Sequence, residues 1–113
     1  MSNLIKKKCE PCSGKTPKLS TVEIQNNLSE IRNWELNDNK DMIFQKFKFK
    51  NFKKALYLTN LVGELAEEEG HHPDISLGWG YCLIMIHTHA IKGLSINDFI
   101  LASKIDQIIE QNQ

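Results

Sequence analysis

Two adjacent histidines follow three glutamates and a glycine in the segment EEEGHHPD, residues 67–74. The chain contains four histidines, so half of them lie at this one position. Imidazole has an unperturbed pKa of about 6.5, so several histidines around one cavity can divide proton donation and proton acceptance between them. The segment therefore makes acid–base catalysis the first candidate chemistry.

The three glutamates strengthen this hypothesis because they lie where a helix is predicted to end. A helix C-terminus carries partial negative charge and disfavours a surface anion by a few tenths to about 1 kcal/mol. Residues that oppose local stability occur more often at functional sites than elsewhere. A carboxylate here would orient a neighbouring imidazole or raise its pKa. The alternative interpretation of Glu67, Glu68 and Glu69 is a solvated acidic helix end.

A metal site is the second candidate chemistry. The residues of suitable ligand type are His71, His72, His87, His89, Glu67 and Asp98. The segment EEGH has a Glu-x-x-His spacing, but the helix is predicted to end before His71 and no second Glu-x-x-His occurs. We therefore predict no metal. Nucleophilic catalysis is disfavoured too, because Cys82 is predicted on the core side of a strand and no serine lies in a Gly-x-Ser-x-Gly turn.

The first elements that position these residues are a short helix and a hairpin. Ser20 or Thr21 can cap the helix, and Glu23 has the capping-box position relative to Ser20. The apolar stripe of this segment consists of Val22, Ile24, Leu28 and Ile31. Two extended runs lie on either side of the turn-rich segment NDNKD, residues 37–41, and predict a β-hairpin.

A longer helix follows the hairpin. Asn51 can cap it, and Gly70 ends it after Glu69 because glycine adopts the left-handed conformation at least cost. One apolar stripe consists of Phe52, Ala55, Leu56, Thr59, Val62 and Ala66. A neighbouring stripe of Leu58, Leu61 and Leu65 has no obvious partner within the chain, so we predict a homodimer or homotetramer.

A second strand pair and a third helix complete the pattern. Along residues 81–89 alternate side chains face opposite sides, and Leu83 and Met85 make the second side apolar, which predicts a ligand or another subunit there. Ser95 can cap the last helix, with Asp98 in the capping-box position. The order of elements predicts an α+β fold, a four-stranded antiparallel sheet with three helices packed on one face.

Length, charge and cysteine count exclude several classes of protein. The 113 residues fit one domain, and 14 Lys+Arg against 14 Asp+Glu leave no strong basic character for binding nucleic acid. No apolar run is long enough to span a membrane, and three cysteines argue against a disulfide framework. We therefore predict a soluble cytoplasmic protein with no nucleic-acid or membrane partner.

The N-terminal segment differs in composition from the rest. Residues 1–18 are rich in lysine and proline, and they predict a flexible tail before a domain at residues 19–113. Cys9 and Cys12 in CEPC have the spacing of half a zinc site or of a redox pair, but no second such pair and no thioredoxin-like strand occurs. Two mobile thiols are the simpler interpretation.

Several of these residues form one spaced pattern: Glu67, the HHP of residues 71–73, Trp79, His89 and Asp98. In this pattern the chain resembles the pterin-4a-carbinolamine dehydratases. The resemblance extends to NWEL at 33–36, FKFKNFKKA at 47–55 and LVGELAEEEGHHPD at 61–74, and CEPC resembles the tail of bacterial members. One departure is Phe99, where many members have tryptophan. The resemblance covers nearly everything from Leu19 on and implies the same fold.

The resemblance also implies an activity and a site. Members dehydrate 4a-hydroxytetrahydropterin to quinonoid dihydropterin, recycling the pterin of an aromatic amino acid hydroxylase, without metal or cofactor. By position, the catalytic residues would be His71, His72 and His89. The supporting or substrate-binding residues would be Glu67, Pro73, Asp74, Trp79, Thr88 and Asp98, with Trp79 as an aromatic wall. His87 has no counterpart and is predicted to be a neighbour of the site.

Members of this family assemble as dimers or tetramers. Animal relatives also act as a dimerisation cofactor of a homeodomain transcription factor, which gives the alternative function of an oligomeric interaction module. An interaction module has no use for three histidines at these spacings, whereas an enzyme does.

Overall fold

The computed structural model describes residues 4–10 and 15–112, which form three α-helices and four β-strands. The helices are α1 (Thr21–Leu28), α2 (Phe52–Glu69) and α3 (Ile96–Gln111). The strands are β1 (Glu35–Leu36), β2 (Ile43–Lys48), β3 (Asp74–Gly78) and β4 (Tyr81–Ile86). Single 3-10 turns lie at Leu4–Lys6 and His89–Ile91.

The four strands form one antiparallel sheet in the order β1-β2-β4-β3. Its core face is apolar and buried, through Ile43 and Phe47 of β2 and Cys82, Ile84 and Ile86 of β4. The helices cover this face, and α2 contacts both β3 and β4. The predicted α+β fold is confirmed. Among the described residues no helix has the length and apolar character needed to span a membrane.

The helix boundaries follow the predicted capping residues. Ser20 and Glu23 form a capping box at the start of α1. Asn51 Oδ1 accepts the Lys54 N–H at 2.8 Å at the start of α2. Gly70 ends that helix in the left-handed region, with φ of 67°. These termini were predictable because each cap is a local bond between residues a few positions apart.

The apolar stripes are predicted less accurately. Val22, predicted to be in the first stripe, is 69% exposed. Leu58 and Leu65, predicted to lack a partner within the chain, are only 2% and 9% exposed. The reason is that α3 lies along α2 and covers this face. The apolar side chains that α2 leaves exposed are Phe52, Leu56 and Tyr57, which we call the α2 patch.

The described part of the N-terminal segment packs against the domain. Leu4 is buried in the core. The Cys9 N–H donates to Glu69 Oε1 at 2.9 Å, and the Glu10 N–H donates to Asn97 Oδ1 at 3.0 Å. Residues 4–10 therefore differ from the predicted flexible tail, because a buried leucine and two bonds to α2 and α3 hold them. Cys12 lies outside the described residues, and the domain boundary after residue 18 stays a prediction.

Candidate active site

The two adjacent histidines lie at the corner between α2 and β3. The left-handed Gly70 ends the helix, while the His71 N–H still donates to Ala66 O at 3.3 Å. Pro73 then favours an extended conformation for His72, which leads into β3. The two side chains diverge as a result: His71 is 5% exposed, whereas most of the His72 side chain is exposed.

His71 is paired with a fully buried carboxylate. Its Nε2 lies 2.6 Å from Asp98 Oδ1. The second oxygen, Asp98 Oδ2, accepts the Thr88 hydroxyl at 2.8 Å and the Ser95 N–H at 2.8 Å. An ionised carboxylate can only accept, so Asp98 places a hydrogen on His71 Nε2 and fixes the ring orientation. Asp98 lies in the first turn of α3, where the helix N-terminus stabilises negative charge.

His72 has a partner of a different kind. Its Nε2 contacts Glu67 Oε2, and both side chains are exposed at the surface. Glu67 lies in the last turn of α2, where the helix disfavours an anion, so its pairing with an imidazole offsets part of this cost. The position of this glutamate is thus explained by the histidine beside it.

His87 and His89 follow the end of β4. They lie two residues apart, which places them on the same side of the chain. Their ring centroids are 4.0 Å apart and the rings are nearly perpendicular. His87 Nε2 also lies 3.2 Å from Asp74 Oδ2 at the start of β3.

All four histidines line one cavity of about 240 Å³, together with Gly70 and Ala90. A second cavity of about 460 Å³ shares His87 and His89 and is lined by Asp41, Met42 and Lys92 as well. Larger clefts exist elsewhere, including one of about 620 Å³ beside β2, but no histidine lines it. Acid–base chemistry therefore points to the histidine cavity, although it is not the largest.

The structure brings together most of the predicted site residues. His71, His72 and His89 line the cavity, with Asp98 and Thr88 behind His71 and Glu67 beside His72. Pro73 is half-buried at the corner, and Asp74 contacts His87. Their roles stay predictions.

Trp79 is the exception among the predicted residues. It is 72% exposed in the turn after β3 and does not line the histidine cavity. It lies five positions after Asp74 along β3, roughly 16 Å away at the usual rise per residue. Within one chain, therefore, Trp79 does not form a wall of this cavity. The resemblance implied such a wall. The spacing along the chain did not reveal that Asp74 and Trp79 lie at opposite ends of β3.

His87 has a larger place in the cavity than the sequence predicts. It lines the wall and contacts both Asp74 and His89. The available signal was its position two residues before His89, which predicts a shared side of the strand. Ser95 was predicted as a helix cap only, although its N–H also holds Asp98 behind His71.

A family model described as pterin 4 alpha carbinolamine dehydratase matches residues 17–108. The chain belongs to this family. The predicted resemblance is therefore confirmed, and the match includes every predicted site residue. Dehydratases that remove water from a substrate by elimination are hydro-lyases, and the chain is an enzyme of this class.

Relatives of this dehydratase cover nearly its full length. A protein of Methylococcus capsulatus is 46% identical over 106 residues, which are 94% of this chain and 93% of the relative. A protein of Alkaliphilus metalliredigens is 50% identical over 109 residues, 95% of this chain and 96% of the relative. Both are provisionally named pterin-4-alpha-carbinolamine dehydratase.

Solved structures support the same fold. A transcriptional coactivator/pterin dehydratase from Brucella melitensis superposes with a TM-score of 0.77 at 26% identity, covering 81% of this chain and 98% of that one. A pterin dehydratase-like protein, identified as a RuBisCO assembly factor in the alpha-carboxysome, has a TM-score of 0.59 at 22% identity. It covers 68% of this chain and 89% of its own. This second likeness concerns the fold alone.

Proposed function

We propose that the protein dehydrates 4a-hydroxytetrahydropterin to quinonoid dihydropterin and water, in recycling the pterin of an aromatic amino acid hydroxylase. The observation that carries the proposal is the buried His71–Asp98 pair in a cavity that three further histidines line. Family membership supplies the substrate class. The two cavities that share His87 and His89 provide an open cleft, which suits a flat bicyclic ring.

The elimination needs two proton transfers. The proton on N5 of the pterin leaves, the C4a–O bond breaks, a C4a=N5 double bond forms, and the departing hydroxyl takes up a proton to leave as water. One histidine accepts a proton and another donates one, and the candidates for these roles are His71, His72 and His89. Positive charge develops on the ring as the hydroxyl departs. The carboxylate of Asp98, fully buried behind His71, would stabilise that charge.

The proposal is tested by adding the purified protein to freshly generated 4a-hydroxytetrahydropterin and following its ultraviolet absorbance. We expect dehydration well above the uncatalysed rate. The histidine mechanism uses only groups of the protein, so we expect the rate to survive exhaustive chelation. A rate that falls to background on chelation and returns with zinc would overturn this mechanism. A protein that never exceeds the uncatalysed rate would overturn the function.

The alternative function is an interaction module for a transcription factor. The observation that favours it is the α2 patch, an exposed apolar surface away from the histidine cavity. The coactivator name of the Brucella protein belongs to that protein. Variants separate the two functions. If a Leu56 variant no longer binds a transcription factor but dehydrates the pterin at the wild-type rate, the result would support the α2 patch as the surface that recognises the transcription factor.

A further inference from the structure

We propose that Asp74, His87 and His89 form a binding site for a divalent transition-metal ion such as Zn²⁺, and that the bound ion inhibits the enzyme by occupying His89. One ligand atom of each residue lies within 4.8 Å of the other two. Among residues 4–10 and 15–112, no other three His, Cys, Asp or Glu side chains have ligand atoms this close together. The inhibition rests on the proposed function, whereas the binding does not.

The backbone explains why these three side chains meet. Asp74 of β3 pairs with Met85 of β4, and His87 lies two residues beyond Met85 on the same side. Diagonal neighbours of an antiparallel pair lie within reach of long side chains. His89 follows after two more residues and its ring packs against that of His87. The paired strands thus place Asp74 beside His87, and the turn after β4 places His89 next to them.

The distances suit tetrahedral coordination. Zinc binds imidazole nitrogen at about 2.0–2.1 Å and carboxylate oxygen at about 2.0–2.2 Å, so two ligands on one tetrahedral ion lie about 3.3 Å apart. The separation of His87 Nε2 and Asp74 Oδ2 is 3.2 Å. All three ligand atoms lie within 4.8 Å of one another, and the side chains of Asp74 and His89 are exposed, so a change of rotamer can bring them to this spacing.

The ligand types select the class of ion. Two imidazoles and one carboxylate match zinc and other late first-row ions, whereas Ca²⁺ and Mg²⁺ require oxygen ligands. Three protein ligands leave a fourth position for water. The neighbouring pairs are less suited: Asp98 is already occupied by three donors, and His72 with Glu67 provides two ligands.

The consequence for the enzyme follows from His89. A ring nitrogen bound to a metal can no longer exchange a proton with the substrate, so zinc would remove one candidate acid or base from the cavity. His87 is not among the proposed catalytic residues. A His87 variant therefore tests metal binding without removing a proposed acid or base, which a His89 variant cannot do.

Binding is tested with the full chain carrying Cys9→Ser and Cys12→Ser, which removes the thiols of CEPC as competing zinc ligands. The protein is stripped of metal and titrated with ZnCl₂ by calorimetry and by competition with a chromogenic chelator. We expect one ion per chain with micromolar Kd. His87→Ala should weaken binding by at least about tenfold. Asp74→Asn provides a second variant with the same expectation in case His87→Ala does not fold.

The matched control for binding is His72→Ala, which removes a histidine of the same cavity outside the proposed site and should leave the Kd unchanged. A wild type with no binding at these concentrations would overturn the site. Equal Kd values for the wild type and His87→Ala, or an equal loss in His72→Ala, would also overturn it.

The inhibition is tested by dehydration assays with and without ZnCl₂. We expect zinc to inhibit the wild type and EDTA to reverse the inhibition. The rate of His87→Ala, compared with its own rate without zinc, should be insensitive to the same zinc concentration. Zinc that binds through the three residues without slowing dehydration would overturn the inhibitory role. A protein that binds zinc in this way but dehydrates no pterin would overturn the proposed function and leave the metal site standing.

Discussion

The adjacent residues His71 and His72 lie in two different environments. His71 pairs with the buried Asp98, and His72 pairs with the exposed Glu67. His71 lies in the cavity wall and is held there by a carboxylate with no exposed surface, whereas His72 is solvated. The two adjacent histidines are therefore not interchangeable. Either can take part in proton transfer, but only the orientation of His71 is fixed by the core.

Substitution of the histidines gives the first prediction. His71→Ala or His89→Ala should slow dehydration by about 100-fold or more, the usual effect of removing a positioned acid or base. His87→Ala should have a much smaller effect, because His87 is outside the proposed proton-transfer groups. Rates at saturating substrate measure the difference. Equal losses in all three variants would mean that the proton-transfer groups are wrongly assigned.

The hydroxyl of Thr88 gives the second prediction. It is fully buried and bonds both Asp98 Oδ2 and Ser95 Oγ at 2.8 Å. Thr88→Val keeps the shape but leaves these buried partners short of a hydrogen bond, so the free energy of unfolding should fall by about 1–3 kcal/mol. Urea denaturation measures the change. Because the bond between His71 and Asp98 remains, the dehydration rate of Thr88→Val should fall less than that of His71→Ala. A larger loss in Thr88→Val than in His71→Ala would argue against a positioning role for Thr88.

At this scale the sequence predicts residue types better than contacts. The family resemblance identified His71, His72 and His89, which line one cavity, and Asp98, which lies behind His71. The threefold bonding of Asp98 was not predictable, because Thr88 and His71 reach it only after β4 and α3 have packed. Such bonds depend on tertiary structure rather than on local propensity.

Among the elements, Glu69 connects three segments. It accepts Lys104 Nζ of α3 at 2.8 Å and the Cys9 N–H of the N-terminal segment at 2.9 Å. Burial raises the pKa of Glu69, but the bonds from Lys104 and Cys9 outweigh it and lower the pKa below its ordinary 4.5. The predicted conflict between Glu69 and its helix terminus is therefore relieved by a lysine from another element, which local sequence rules could not show.

This pairing gives a third prediction, on pH dependence. A carboxyl group whose pKa is lowered on folding contributes stability above its unfolded pKa and loses it as pH falls through the folded value. Lys104→Met removes the ion pair, so it should destabilise the protein at neutral pH. The deficit should shrink as the pH falls from the ordinary value of 4.5 through the lowered pKa of folded Glu69, because protonation of Glu69 removes the charge that Lys104 pairs with. Thermal unfolding from pH 7 to pH 3 measures this; a deficit independent of pH would indicate lost packing rather than lost charge.

The apolar stripes of α2 show a second limit of prediction at this scale. Helical spacing correctly predicted the helix from Asn51 to Gly70 and its broad apolar surface. It could not decide which residues of the two adjacent stripes are buried, because that depends on where α3 and the sheet lie. The burial of Leu58 and Leu65 and the exposure of Leu56 are both outcomes of that packing.

For the whole molecule, the exposed apolar surface favours association. The α2 patch lies on the outside, and the outer face of the sheet carries the half-buried Leu83 and Met85. Burying a leucine is worth about 1.5–3 kcal/mol. We propose that the protein forms a homodimer or homotetramer, with the α2 patch replacing the stripe of Leu58, Leu61 and Leu65 as the predicted contact.

The fourth prediction tests this contact. Leu56→Glu should weaken self-association because it places an unpaired charge in the interface. Sedimentation velocity over a micromolar concentration series measures it. Val22→Glu is the matched control, because Val22 is an exposed apolar residue of another helix and lies outside the patch. A wild type that stays monomeric, or equal effects of both variants, would contradict the assignment.

The double role of Asp98 links activity to the folding reaction itself. The same carboxylate that helps to start α3 also orients His71, and the two residues are 27 positions apart. This loop closes only when β3, β4 and α3 have all docked, so the cavity acquires its fixed histidine late in assembly. Catalysis then becomes a reporter of complete folding. Partly folded chains with native secondary structure would show no activity in the dehydration assay. During refolding, dehydratase activity would therefore return later than the helical signal in circular dichroism.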